Sequence, residues 1–329
     1  MEIQDRAELC FPELLNASCR KPTHSEAEIV LLQTLLFSIS VLIVILNLLV
    51  IISVSHFRKL HIPSNLLLLS LAVSDFLVGF VVMPREILRQ MSCWIIGNLM
   101  CSLCNCVAYI ITSASVGNMV LISIDRYIAI CDPLHYQTRV TVRRVTLCIC
   151  VCWSCSVLYN SLILKEDLSQ PGRFNSCYGE CVVVINYTAG VVDLILTFII
   201  PVTVIVVLYL RVFVVAVSQA RAVCSHVAAV THKQSVHLSV KKSEMKAAKT
   251  IGVVVIVFII TFFPYFCVTL AGENLLNDFS ASFVIHLFYF NSCVNPVIYA
   301  LFYPWFRKSI KFIVTLQILQ PDSCDAKIL

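Results

Sequence analysis

The chain has 329 residues, 59% of them hydrophobic and only 13% charged, where soluble domains carry about 25% charged residues. With a mean hydropathy of +0.89, too little polar surface is present for a water-soluble globule, which argues against a cytosolic enzyme, a disordered tail or a nucleic-acid-binding module. The net charge of +5 suits basic loops on the cytoplasmic face of a membrane.

The first 28 residues are polar and charged, with no cleavable signal peptide, so the first apolar run itself starts membrane insertion. Seven stretches then reach the roughly 20 apolar residues that cross a bilayer: 29–54, 63–84, 98–130, 145–164, 187–212, 247–271 and 281–303. They are continuous rather than alternating, which predicts helices and not a barrel. The expected fold is an all-α membrane protein, a seven-transmembrane helix bundle. Its parts are an extracellular segment 1–28, a bundle 29–303, and a short amphipathic helix with a cytoplasmic tail over 304–329. In that last helix Trp305, Phe306, Ile310, Phe312 and Ile313 alternate with Arg307, Lys308 and Lys311, the pattern of a helix lying on lipid.

Placing the N-terminus outside puts 17 of the 24 Lys and Arg residues on the inner side, which supports that orientation. Asn16-Ala17-Ser18 is then an external glycosylation sequon, and Asn186-Tyr187-Thr188 a second one close to span five. Of the 17 cysteines, Cys148, Cys150, Cys152, Cys155, Cys267 and Cys293 lie in apolar runs and read as small hydrophobes. Cys101 and Cys104 form a CxxC without zinc-spaced partners.

Ionisable groups inside a bilayer are expensive and mark function. Two carboxylates lie well within the spans, Asp75 in span two and Asp193 in span five; Asp125 and Arg126 end span three.

These residues belong to a wider pattern. Asn47, Leu71-Ala72-Val73-Ser74-Asp75, Asp125-Arg126-Tyr127, Trp153, Pro201 with Tyr209, Pro264, and Asn295-Pro296-Val297-Ile298-Tyr299 follow in order through spans one to seven. The chain resembles the rhodopsin-like (class A) G-protein-coupled receptors over its whole transmembrane region. The run Asn291 to Arg307, the segment Ile130-Cys131-Asp132-Pro133-Leu134 after span three, and Cys177-Tyr178-Gly179-Glu180-Cys181 are similar to the trace amine-associated receptors. That family consists mostly of olfactory receptors for volatile amines.

The resemblance implies an amine site, with one departure. Aminergic receptors hold the ligand's ammonium with a span-three Asp, seven residues after the outer Cys and eighteen before the motif Arg. Both counts, from Cys101 and from Arg126, reach Ala108. Asp193, eight residues before Pro201 and so about 12 Å along the helix, resembles the substitute found in a branch of the family. Alkyl amines have a pKa near that of Lys (~10.4) and are cations at neutral pH. The resemblance places Tyr109, Thr112, Phe262, Tyr265, Phe266 and Tyr289 around the same pocket. Two other readings of Asp193 stay open, a hydrated interfacial residue and a residue with a structural partner on span four or six. Phe262 replaces the Trp usual two residues before the span-six Pro.

At the inner end the resemblance implies a G-protein switch of Asp125, Arg126, Tyr127, Tyr209, Glu244, Asn295, Pro296 and Tyr299, with Arg126 paired to Glu244 at rest. It implies a sodium pocket of Asp75, Ser115, Asn291 and Asn295. It also implies a Cys101–Cys181 bridge and a second bridge from Cys177 to the N-terminus, with Cys19 preferred to Cys10. The expected partners are a small amine, membrane lipid and a heterotrimeric G protein of stimulatory or olfactory type that raises cyclic AMP, at the plasma membrane. No nucleic-acid partner is expected. The alternative is an orphan class A receptor for a non-amine ligand.

Other classes fare worse. A photoreceptor needs a span-seven Lys for its Schiff base, and 281–303 has none. A channel or transporter wants more intramembrane charge and usually repeats. No nucleophile–base–acid set or phosphate loop suggests an enzyme. The particular amine is not legible; for a diamine, Glu273 or Asp278 offers a second anion.

Overall fold

The computed structural model describes residues 9–14, 17–20, 26–91, 93–227, 253, 256–257, 259–268, 278–321, 323–326 and 328. Asn16, Glu244 and Glu273 lie outside them. The helices in chain order are α1 (Glu26–His56), α2 (Pro63–Leu77), α3 (Met83–Met91), α4 (Asn98–Cys131), α5 (Pro133–Arg139), α6 (Val142–Ile163), α7 (Lys165–Ser169), α8 (Tyr187–Leu194), α9 (Ile200–Val227), α10 (Ile259–Val268), α11 (Asp278–Phe302) and α12 (Pro304–Val314). Six of the membrane-length segments are long and apolar enough to cross a bilayer, and α10 is a shorter apolar piece of the sixth predicted span. The two ends of the bundle are told apart by the disulfides at one and Arg126 at the other.

Local chemistry explains where these helices begin. Pro63, Pro133 and Pro304 each open a helix, where the missing N–H costs nothing. Thr141 and Asn186 cap α6 and α8 by accepting from the amides of Arg144 and Ala189.

Spans two and five each contain one π-helical turn, Val78–Val82 joining α2 to α3 and Ile195–Ile199 joining α8 to α9. Each turn is followed within two residues by a proline, Pro84 or Pro201. A proline ring collides with the carbonyl four residues back, and widening the preceding turn relieves the collision. At Thr197, four residues before Pro201, the hydroxyl donates to the carbonyl of Asp193 at 2.6 Å. Span two therefore runs on as helix to Met91 rather than ending near residue 84.

That extension corrects the reading of the charges. Arg85 and Arg89 do not lie in an outer loop, and Asp75 and Asp193 are not the only deep carboxylates. Glu86 is 2% exposed, with Arg85 on one side and Arg89 on the other.

Polar ties lock the spans together. Asn47 donates to the carbonyls of Ile43 and Ser292, at 3.0 and 2.9 Å. Trp153 donates to Ser70 Oγ at 3.1 Å. Gly79 lets spans one and two approach: a Cβ there would stand 2.8 Å from Ile43 Cγ2, and the Gly79 carbonyl accepts from Ser40 Oγ at 2.7 Å. The main apolar core, including Leu71, Met119, Ile205, Phe262, Ile298 and Phe306, fills the bundle interior. Leu31, Leu35, Phe37 and Phe213 face outward, as lipid contact requires. On α12, Trp305 and Phe306 are buried, and Arg307 and Lys308 are exposed. Arg307 closes the end of α11 through the carbonyls of Ala300 and Leu301.

Three disulfides fasten the other end: Cys101–Cys181, Cys19–Cys177 and Cys10–Cys93. The first two are those the resemblance implied. Cys10, the alternative partner for Cys177, is instead joined to Cys93. Gly179, at φ +103°, turns the loop beneath Cys10, whose Cβ would stand 3.0 Å from an added Cβ.

Candidate functional site

A partly open cavity lies between the spans toward the disulfide end, with about 650 Å³ of space unoccupied by atoms, open solvent included. Asp193, Tyr109, Thr112, Phe262, Tyr265, Phe266 and Tyr289 all line it, so the structure brings the whole expected ligand set together. Ala108 lines it too. A methyl group stands where aminergic receptors carry their counter-ion.

Asp193 sits at the end of α8, just before the π turn of span five. Tyr159 on α6 donates to its Oδ1 at 3.1 Å. Oδ2 has no hydrogen-bond partner among the described residues. The reading with a partner on span four is thus met in part: Tyr159 engages one carboxylate oxygen, and Asp193 still lines the cavity. Facing it is an aromatic wall. Phe198 stacks on Phe266 at 4.1 Å, Phe262 packs on Phe288 at 4.3 Å, and Tyr265 on Phe288 at 4.8 Å. Ring faces attract cations. The Phe262 ring is 3% exposed and fills the core where a Trp is usual.

Arg85 on α3, Tyr159 and Phe288 were not legible as site residues. Arg85 lay in a charged string that hydropathy assigns to a loop. Tyr159 and Phe288 carried no signal beyond apolar packing.

Deeper in the bundle Asp75 is fully buried. Ser292 Oγ and Asn295 Nδ2 donate to it at 2.8 Å each, and Ser115 Oγ approaches at 3.5 Å. Ser292 rather than its neighbour Asn291 is the direct partner. Asn291 Oδ1 is buried without a partner. The donor set is mostly oxygen, with one orphaned carbonyl oxygen a helical turn from Asn295, which fits a hard cation.

At the far end Asp125 is 4% exposed and fully engaged. It pairs with Arg126 Nη2 at 2.7 Å, and accepts from Ser64 Oγ at 2.9 Å and Tyr136 Oη at 2.8 Å. The half-buried Tyr127 follows. The Tyr209 and Tyr299 hydroxyls are buried without partners among the described residues, and Pro296 lies inside α11. Beside this cluster, a hydrogen bond from His135, with Arg139 nearby, holds the Asp132 carboxyl below the usual carboxylate range. Burial raises the Tyr136 phenol.

The profile of the 7 transmembrane receptor (rhodopsin family) matches residues 46–299. Trace amine-associated receptor 8a of Rattus norvegicus is 39% identical, the match covering 96% of this chain and 95% of that protein. Trace amine-associated receptor 13c of Danio rerio is 36% identical over 98% and 96%, and receptor 4 of Mus musculus 34% identical over 98% and 95%. These relatives are receptors and not enzymes. Spans, buried polar ties, disulfides and near-full-length similarity agree, and the chain belongs to the rhodopsin family of seven-transmembrane receptors and, within it, to the trace amine-associated receptors.

Proposed function

We propose that the chain is a plasma-membrane receptor for protonated amines that couples to a stimulatory or olfactory-type G protein and raises cyclic AMP. One observation carries the ligand reading: Asp193, with one carboxylate oxygen unengaged among the described residues, lines an aromatic cavity to which span three contributes the uncharged Ala108. An ammonium would meet it in a charge-assisted hydrogen bond with the rings closing around the alkyl chain.

The three disulfides and the cation distribution support an extracellular N-terminus, since disulfides persist in oxidising surroundings. Asn16 would then be open to glycosylation. For the switch, Asp125, Arg126 and Tyr127 join Tyr209, Asn295, Pro296 and Tyr299, with Glu244 on span six as the resting partner of Arg126. Two unpartnered tyrosine hydroxyls on spans five and seven support a second arrangement in which they find partners. Asp75, Ser115, Asn291 and Asn295, with Ser292 added, would hold a sodium ion that favours the resting state.

The test is a dose–response series with alkyl amines on the expressed receptor. Asp193→Asn should lower potency at least ~100-fold, as losing a partly buried charge partner costs several kcal/mol. An unchanged response, or equal potency from an uncharged isostere, would refute the amine reading. Replacing sodium by a large organic cation should raise agonist affinity about 5-fold, a modest coupling between sites, and Asp75→Asn should abolish that sensitivity.

A further inference from the structure

The cavity has a second charged wall. Arg85, the first residue after Pro84, lines it together with Asp193. Its side chain is only 11% exposed. One Nη1 donates to Glu86 Oε2 at 2.9 Å. Glu86, however, does not depend on Arg85. Arg89 Nε reaches both of its oxygens, at 3.2 and 3.3 Å. Two guanidinium groups therefore share one carboxylate, and one positive charge is in excess at this wall among the described residues.

The donors of Arg85 confirm the surplus. Its Nε is buried with no partner. Its Nη2 reaches only the Cys181 sulfur at 4.0 Å, and sulfur in a disulfide is a weak acceptor at best. A guanidinium carries five donors in a planar fork suited to a carboxylate, sulfonate or phosphate. Buried donors left open in this way are filled by water or by a ligand. Span three packs against both span two and span five. Its Tyr109 lines the same cavity as Asp193 and Arg85.

We propose that the pocket takes a bipolar ligand: an amine whose ammonium meets Asp193 and whose other end carries an oxyanion received by Arg85, the ω-amino acids being the simplest class. This rests on the amine reading of Asp193 and narrows it. A plain alkyl amine leaves the Arg85 fork empty. A diamine brings its second ammonium against the surplus cation. An ω-amino acid of fitting length answers both walls at once, and its own charges cancel as those of the pocket do.

The experiment uses the full-length receptor at the cell surface and three matched series: straight-chain ω-amino acids, n-alkylamines and α,ω-diamines of increasing length. Activation and radioligand displacement are read for each. At one chain length the amino acid should be at least ~10-fold more potent than the matching alkylamine, the scale of one charge-assisted hydrogen bond, with the diamine weakest. Arg85→Gln should erase that preference, read as the ratio of amino acid to alkylamine potency in the same variant, and Arg85→Lys should keep part of it. Equal potency of amino acid and alkylamine at every length overturns the proposal without any variant. So does a loss in Arg85→Gln that is the same for all three series, since Arg85 then only braces Glu86. The amine reading fails by a different result, Asp193→Asn leaving alkylamine potency unchanged. Silence from all three series would overturn both.

Discussion

Tyr159 on α6 donates a hydrogen bond from its phenol to Asp193 Oδ1 at 3.1 Å, so the acid of span five is held in place by span four. The bond engages one oxygen and leaves the other without a partner among the described residues. Tyr159→Phe should therefore weaken alkylamine potency about 5-fold, the ~1 kcal/mol of a partly solvated hydrogen bond. The combination with Asp193→Asn should be no worse than Asp193→Asn alone, because the phenol acts through that carboxylate. Concentration–response curves for the two single variants and the double variant decide it.

Asp125 is pinned by Ser64 and Tyr136 as well as by Arg126. Removing the Tyr136 hydroxyl frees one carboxylate oxygen and loosens the hold on Arg126. Tyr136→Phe should raise ligand-independent cyclic AMP about twofold or more, from a loss of roughly 0.5–1.5 kcal/mol in the resting state. Arg126→Ala should abolish the response while surface labelling stays intact.

The close approach at Gly79 sets a steric limit. Gly79→Val would drive methyl groups into Ile43 and the Ser40 carbonyl, and overpacking of this kind costs about 1–3 kcal/mol. Thermal inactivation of detergent-solubilised receptor should occur several degrees earlier. Gly190→Ala on α8 meets open space and should be neutral or slightly stabilising.

Cys10–Cys93 closes a sequence separation of 83 residues. Replacing both cysteines by serine should cost about 2 kcal/mol or more of stability and reduce surface expression. Alkylamine potency should hold in the receptors that reach the surface, because neither cysteine lines the cavity. Non-reducing peptide mapping checks the pairing, and a surface-binding assay checks the rest.

The hydropathy of this chain carried most of its fold, because burying a backbone in lipid leaves helices as almost the sole choice. Ala108, reached by counting from Cys101 and Arg126, and Asp193, reached by counting back from Pro201, both line the cavity. Other features were hidden for physical reasons. Arg85, Glu86 and Arg89 look like the end of a span in any scale that adds residue terms. They remain helical, with Glu86 buried, because both arginines pair with its carboxylate, a pairwise effect that leaves one positive charge over. Ser292 and not Asn291 meets Asp75 because adjacent residues point about 100° apart, and a helix carrying Pro296 has no fixed phase in sequence. Cys93 stood in no recognisable pattern, and nothing short of the folded loop brings it beside Cys10.

The two π turns have a consequence for how ligand choice is encoded. Each inserts one extra residue into an otherwise regular screw, and everything on the disulfide side of it is rotated by about 100° relative to the rest of the span. Arg85 and Asp193 both stand on the rotated side. Shortening either turn by one residue would swing its charge out of the bundle without altering a single lining side chain. On the proposed reading, selectivity is written in the angular offset of two half-helices, and a one-codon deletion would erase what many point substitutions would leave standing.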